Sequence, residues 1–184
     1  MKYPGGINKQ RSEQPISYHN RGMSLEEDIN MTNQYYRAVD RGVIHKKPTP
    51  VQIVKVHYPK RSAAVITEGY FKQASTTDYN GIYRQRYIDF EAKETNHKTS
   101  IPLSNFHEHQ IKHLQAVHKH GAICFVIIRF THYQETYLLE FEKLLAYWND
   151  QLVGGRKSIP YEVIKKEGHL IPFKYQARVD YLDV

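Results

Sequence analysis

The chain has 184 residues, 40% of them apolar, which is enough for one globular domain with a real core. Its 26 Lys and Arg stand against 19 Asp and Glu, and the formal charge of +7 suits a polyanionic partner. The single cysteine, Cys124, excludes a disulfide framework, and with no apolar run of about 18 residues and no leader-like start, a soluble cytoplasmic protein is expected, with no membrane partner.

Residues 1–20 are rich in Gly, Pro, Gln and Ser without apolar period, and read as a disordered basic arm ahead of one domain over 21–184. The first helix signal is the capping box Ser24-Leu25-Glu26-Glu27. Leu25, Ile29, Thr32 and Tyr36 then recur at helical spacing to about Val39, and Gly42 marks the end. Val43–His45 reads as a short strand bounded by Pro48 and Pro50. Lys46 and Lys47 read as solvated surface charges. Val51–Tyr58 and Ala63–Phe71 flank Pro59-Lys60-Arg61-Ser62, which predicts a two-stranded ribbon over about 51–71 with the cations Lys60 and Arg61 at its tip. With Tyr58 and Tyr70 nearby, the ribbon reads equally well as a DNA-contacting projection or a plain edge hairpin.

Thr76–Tyr83, with an Asn80-Gly81 turn signal inside, and Arg86–Thr95 are the next strand-like stretches. A Pro102 loop leads to Ser104, the expected N-cap of a helix from Asn105 to about Lys119 stopped by Gly121. The run from Ala122 to Ile128 is uninterruptedly apolar, as a central strand buried on both faces requires. Thr136–Leu139 can pair beside it, Phe141–Trp148 is helical in pattern, and Gly154-Gly155 makes a loop. Pro160 opens a short helix that Gly168 closes. Strands alternating with helices predict an α/β domain around a mixed sheet.

Most catalytic signatures are missing: there is no phosphate-binding loop, no Gly-x-Ser-x-Gly elbow, and no metalloprotease His pair. His107, His109 and His113 therefore read as surface or packing residues. One constellation survives. In a strand Glu91 and Lys93 point to one face, with Asp89, while Ile88, Phe90 and Ala92 point to an apolar back. Thr76 and Asp78 share a face by the same rule. If the two strands pair, Asp78, Glu91 and Lys93 converge at one end of the sheet.

Two carboxylates suit Mg²⁺, which prefers hard oxygen ligands and keeps places for water and substrate phosphate. A neighbouring lysine positions or deprotonates water and offsets developing negative charge, so the set fits phosphodiester hydrolysis. Carboxylate-x-Lys is short and only modestly specific; Glu91-Ala92-Lys93 is the one acidic-x-Lys triplet in the chain. Phe106, Gln110, Leu114 and Val117 form a helical stripe, and Gln110 on it admits two readings: a core amide bonded to backbone, or a metal-site group. Asp89 reads as a structural hydrogen bond or ion pair.

Several longer strings carry a resemblance. Asn20-Arg21-Gly22-Met23, His45-Lys46-Lys47-Pro48-Thr49-Pro50, Tyr58-Pro59-Lys60-Arg61-Ser62 and Ser75-Thr76-Thr77-Asp78-Tyr79-Asn80-Gly81 resemble the RecU-type Holliday junction resolvases of Gram-positive bacteria. So do Ile88-Asp89-Phe90-Glu91-Ala92-Lys93-Glu94-Thr95 and His107-Glu108-His109-Gln110, and the likeness runs from about residue 20 to the C-terminus. It implies a fold similar to type II restriction endonucleases, a mixed sheet flanked by helices with a protruding β-ribbon stalk. It further implies a homodimer that nicks four-way DNA junctions symmetrically with Mg²⁺ or Mn²⁺. By motif, Thr76, Asp78, Glu91 and Gln110 correspond to metal-site residues, and Lys93 to the catalytic lysine or transition-state stabiliser. The 51–71 ribbon corresponds to the stalk, and Arg21 to a DNA contact. Interplay with the recombinase and the branch-migration motor in recombinational repair is implied as well. The arm before Asn20 is short for the family, and Thr77 stands where the wider nuclease superfamily has proline. Two other functions stay open: a nuclease of the same fold acting on duplex DNA, and a non-catalytic DNA-structuring or strand-annealing protein.

Overall fold

Ten strands and four helices form among the described residues, 24–60, 63–72 and 76–184, of the computed structural model. Helix α1 (Leu25–Ala38) starts as its capping box dictates. The Glu27 N–H donates to Ser24 Oγ at 3.3 Å, and the Ser24 N–H donates to Glu27 Oε2 at 2.9 Å. Glu26, Glu27 and Asp28 in the first turn suit the positive end of the helix dipole. Strand β1 (Val43–Lys46) follows, then the ribbon strands β2 (Val51–His57) and β3 (Val65–Phe71), then β4 (Tyr79–Tyr83) and β5 (Arg86–Thr95). After β6 (Ser100–Pro102) come α2 (Glu108–Lys119), β7 (Ile123–Phe130), β8 (Glu135–Glu140) and α3 (Phe141–Leu152). The chain closes with β9 (Ser158–Pro160), α4 (Tyr161–Glu167) and β10 (His169–Leu170).

Six strands make one mixed sheet in the order β1-β4-β5-β7-β8-β10. Only β5 and β7 run parallel, with Glu91 opposite Val126 and Lys93 opposite Ile128. The two parallel strands need a long crossover, and α2 supplies it. Strand β7 is buried on both faces, as its apolar run requires. Cys124, Val126, Ile128 and Phe130 enter one core with α2, α3 and α4; Phe125 and Ile127 enter a second with α1 and the C-terminal segment. Ile88 and Phe90 of β5 join the second core, where Phe90 stacks between Tyr79 and Phe125. Period two therefore leaves Asp89, Glu91 and Lys93 on the α2 side of the sheet. This helix–sheet–helix layering is consistent with the restriction-endonuclease-like fold.

The ribbon stands apart: β2 and β3 pair only with each other, and all but one of their residues are exposed. The Lys72 N–H donates to Pro50 O at 2.9 Å and closes its base. None of the helices among the described residues is long and apolar enough to cross a membrane.

Three local expectations change. The β4–β5 turn falls at Arg84 and Gln85, which take the positive φ values of 46° and 64°, and not at Asn80-Gly81. Gly81 lies within β4 because β1 passes too close for a side chain: a Cβ there would sit 2.6 Å from the Ile44 Cα. Ser104 belongs to a 3₁₀ turn over Leu103–Asn105, and His107 is the N-cap of α2. Asp78 precedes β4 instead of lying within it, so Thr76 and Asp78 are held by a bend and not by strand alternation.

Candidate active site

Glu91 is fully buried, on the face of β5 that α2 covers. Its Oε2 accepts the Asp78 backbone N–H at 3.1 Å, and its Oε1 accepts from Lys93 Nζ at 2.6 Å. Antiparallel pairing of Tyr79 with Phe90 brings the bend before β4 alongside the C-terminal half of β5. Asp78, Glu91 and Lys93, which lie thirteen and two residues apart in the chain, thus meet at one end of the sheet. Burial pushes the Glu91 carboxyl up to about 8, the Asp78 carboxyl beside it adds to the rise, and the Lys93 ammonium opposes it. The Lys93 side chain is one-fifth exposed and faces outward from the pair. A cleft of about 330 Å³ opens there, lined by Ser24, Leu25, Asp78, Tyr79, Lys93 and Glu94 among others.

Two carboxyls crowded together, one of them buried, repel one another unless a proton or a cation sits between them. That donor set fits a hard divalent ion. Among the described residues no three His, Cys, Asp or Glu side chains gather as a cage. Mg²⁺ does not need one, because it is typically bound by one or two carboxylates with waters and substrate phosphate.

The other expected site residues divide. Gln110 is buried on α2, and its Oε1 accepts the His107 N–H at 2.9 Å, which is the core-amide arrangement. Thr76 lies in the bend beside Asp78, and its hydroxyl points to Thr77 O at 3.4 Å. Neither is bonded to the Glu91 carboxylate. Lys60 sits in the exposed bend that follows β2, where its carbonyl accepts the Ala63 N–H at 3.0 Å. Arg21, Arg61 and the arm over 1–20 lie outside the described residues.

Lys47 is not a solvated charge. Its ammonium reaches the buried Asp89 carboxylate at 3.0 Å, whereas Lys46 pairs with Glu26 at 2.5 Å. Asp89 makes the structural ion pair expected of it, and His113 joins that pair with Nε2 at 2.9 Å. His107 and His109 stack at 5.4 Å between ring centres. Lys47 and His113 carried no sequence signal for this partnership. Their approach to Asp89 depends on how β1 and α2 are placed against β5.

Residues 20–184 match the family model described as RecU, Recombination protein U. The chain is 61% identical over 188 residues to a protein of Oceanobacillus iheyensis named Holliday junction resolvase RecU, covering 99% of this chain and 96% of that one. A protein of the same name from a Geobacillus species is 63% identical over 192 residues, covering 100% and 95%. Another from Bacillus cereus is 54% identical over 191 residues, covering 100% and 96%.

Proposed function

The chain belongs to the RecU family of recombination proteins, and from that premise we propose that it is a Holliday junction resolvase, a metal-dependent endonuclease that nicks four-way DNA junctions. The observation that carries the proposal is the buried Glu91 carboxylate, held between the Asp78 amide and the Lys93 ammonium beside an open cleft. Asp78 and Glu91 would hold Mg²⁺ or Mn²⁺, with Thr76 and Gln110 as further oxygen donors by family pattern. A divalent ion bound there supplies Lewis acidity toward the scissile phosphate.

The chain's own groups do the rest. Lys93 is tethered to Glu91 through Nζ, so its charge stands at the cleft and not free in solvent. There it orients the attacking water and offsets the negative charge that develops on the phosphate. Glu91 must surrender its proton before it can bind a cation, and the nearby Lys93 charge makes that loss easier. The exposed ribbon β2–β3 supplies the stalk for the junction centre, and Lys60 and Arg61 are assigned to DNA contact by family pattern. A basic surface of formal charge +7 favours salt-sensitive binding, in which shape outweighs base reading. A two-fold homodimer would present two equivalent sites, as symmetric nicking requires. Recombinase and branch-migration motor are the further partners proposed, in the cytoplasm.

The test is cleavage of a mobile four-way junction against linear duplex, with and without Mg²⁺, read at nucleotide resolution. Symmetric, Mg²⁺-dependent nicks confined to the junction are expected, with Asp78→Asn binding the junction but not cutting it. Normal nicking by Asp78→Asn would overturn the site assignment, and equal cleavage of linear duplex would overturn the junction reading.

A further inference from the structure

Asp89 stands two residues before Glu91 on the same face of β5 and is completely buried. Its Oδ1 accepts a hydrogen bond from the Thr77 hydroxyl. Its Oδ2 accepts from Lys47 Nζ at 3.0 Å and from the Tyr87 hydroxyl at 2.7 Å, and lies 2.9 Å from His113 Nε2. Lys47 closes the bracket twice more: Nζ donates to Thr77 Oγ1 at 2.8 Å, and the backbone N–H donates to Asp78 O at 2.7 Å. The Asp78 N–H is taken by Glu91 at 3.1 Å. Both peptide groups flanking the Asp78 side chain are therefore pinned, and the preceding residue, Thr77, is buried and bonded through its hydroxyl.

A buried carboxylate is costly unless it is paired and hydrogen-bonded, as Asp89 is by the partly buried Lys47, so this bracket holds one arrangement against alternatives. Both Asp89 oxygens are engaged by Thr77, Lys47, Tyr87 and His113, and none of these partners is Glu91 or Lys93, so it acts on the site through the groups it holds. We propose that Asp89 is a positioning residue of the site: through Thr77 and Lys47 it fixes the Asp78 main chain, so that the Asp78 and Glu91 carboxyls meet an incoming divalent ion at a preset separation. The proposal rests on the metal-dependent reading above. Outer groups that orient ligands commonly change metal affinity about 10–100-fold when lost.

The test uses the intact protein and Mn²⁺ as probe, with binding measured by calorimetry in the absence of DNA. Asp89→Asn places an amide donor against donors, and Thr77→Val removes the hydroxyl at near-constant volume. Both are expected to weaken Mn²⁺ binding by about 10-fold or more. Nicking should recover at high Mn²⁺, and junction affinity measured in EDTA should match that of the parent protein. Thr77→Ser keeps the hydroxyl and is expected to restore Mn²⁺ affinity. Should Asp89→Asn fail to fold, the Thr77 pair of variants decides alone. Parent-like Mn²⁺ affinity in Thr77→Val overturns the proposal. So does a loss that Thr77→Ser shares, or one that tracks only a fall in melting temperature. The metal reading fails separately, if Asp78→Asn and Glu91→Gln bind Mn²⁺ as the parent does.

Discussion

Glu91 makes the pH dependence of stability a direct probe of the site. Its carboxyl is buried, and its pKa is raised from 4.5 to about 8 in the folded protein by burial, then by Asp78, against the opposing Lys93 charge. Between those values the folded state keeps a proton that the unfolded chain has lost, so stability must fall as pH rises. The contribution is fully present below pH 4.5 and gone above about 8. At about 1.4 kcal/mol per pKa unit, the loss between pH 5 and 9 comes to about 4 kcal/mol. For a chain of this size that is on the order of 10 °C in melting temperature. Other groups titrate over the same range, so the measurement is a difference: metal-free parent against Glu91→Gln, melted from pH 5 to pH 9. The amide oxygen can still accept the Asp78 N–H but never ionises, so the variant should gain steadily on the parent as pH rises. Adding Mn²⁺ at pH 8 should raise the parent's melting temperature and leave the variant's nearly unchanged. Parallel melting curves across the range would refute the reasoning, because Glu91 would then not be a buried carboxyl holding its proton.

Lys93→Ala is expected to reduce the nicking rate by about 10²–10³-fold, the scale of losing a preorganised charge-stabilising group, with junction binding unchanged in a mobility-shift assay; normal nicking would favour a non-catalytic DNA-structuring protein. Shortening the ribbon around Lys60 should lower junction affinity more than duplex affinity in competitive binding, whereas equal loss on both would mark a plain edge hairpin. Gly81→Ala should destabilise by about 2 kcal/mol or more in urea unfolding, because the added Cβ collides with the Val43 carbonyl and Ile44 Cα of β1. Ser24→Ala should cost about 1 kcal/mol by loss of the α1 cap, and a neutral result would place the helix start elsewhere.

What the sequence alone makes legible is local. The Ser24 capping box starts α1 because both of its bonds lie within four consecutive residues. Period two put Asp89, Glu91 and Lys93 on one face of β5, and the apolar run of β7 required burial on both sides. Gly81 shows the limit of that reading. As half of an Asn-Gly pair it signalled a turn, yet its lack of a side chain serves the close approach of β1, a strand some forty residues earlier in the chain. Lys47 shows the same limit for charge. Beside Lys46 it looked like one more solvated cation, and only the pairing of β1 with β4 carries it to the buried Asp89. Composition and periodicity therefore decided the fold class and the face on which the reactive groups lie. The tertiary structure decided which of those groups touch, because contact between strands depends on the packing of distant segments, and no residue's immediate neighbours encode it.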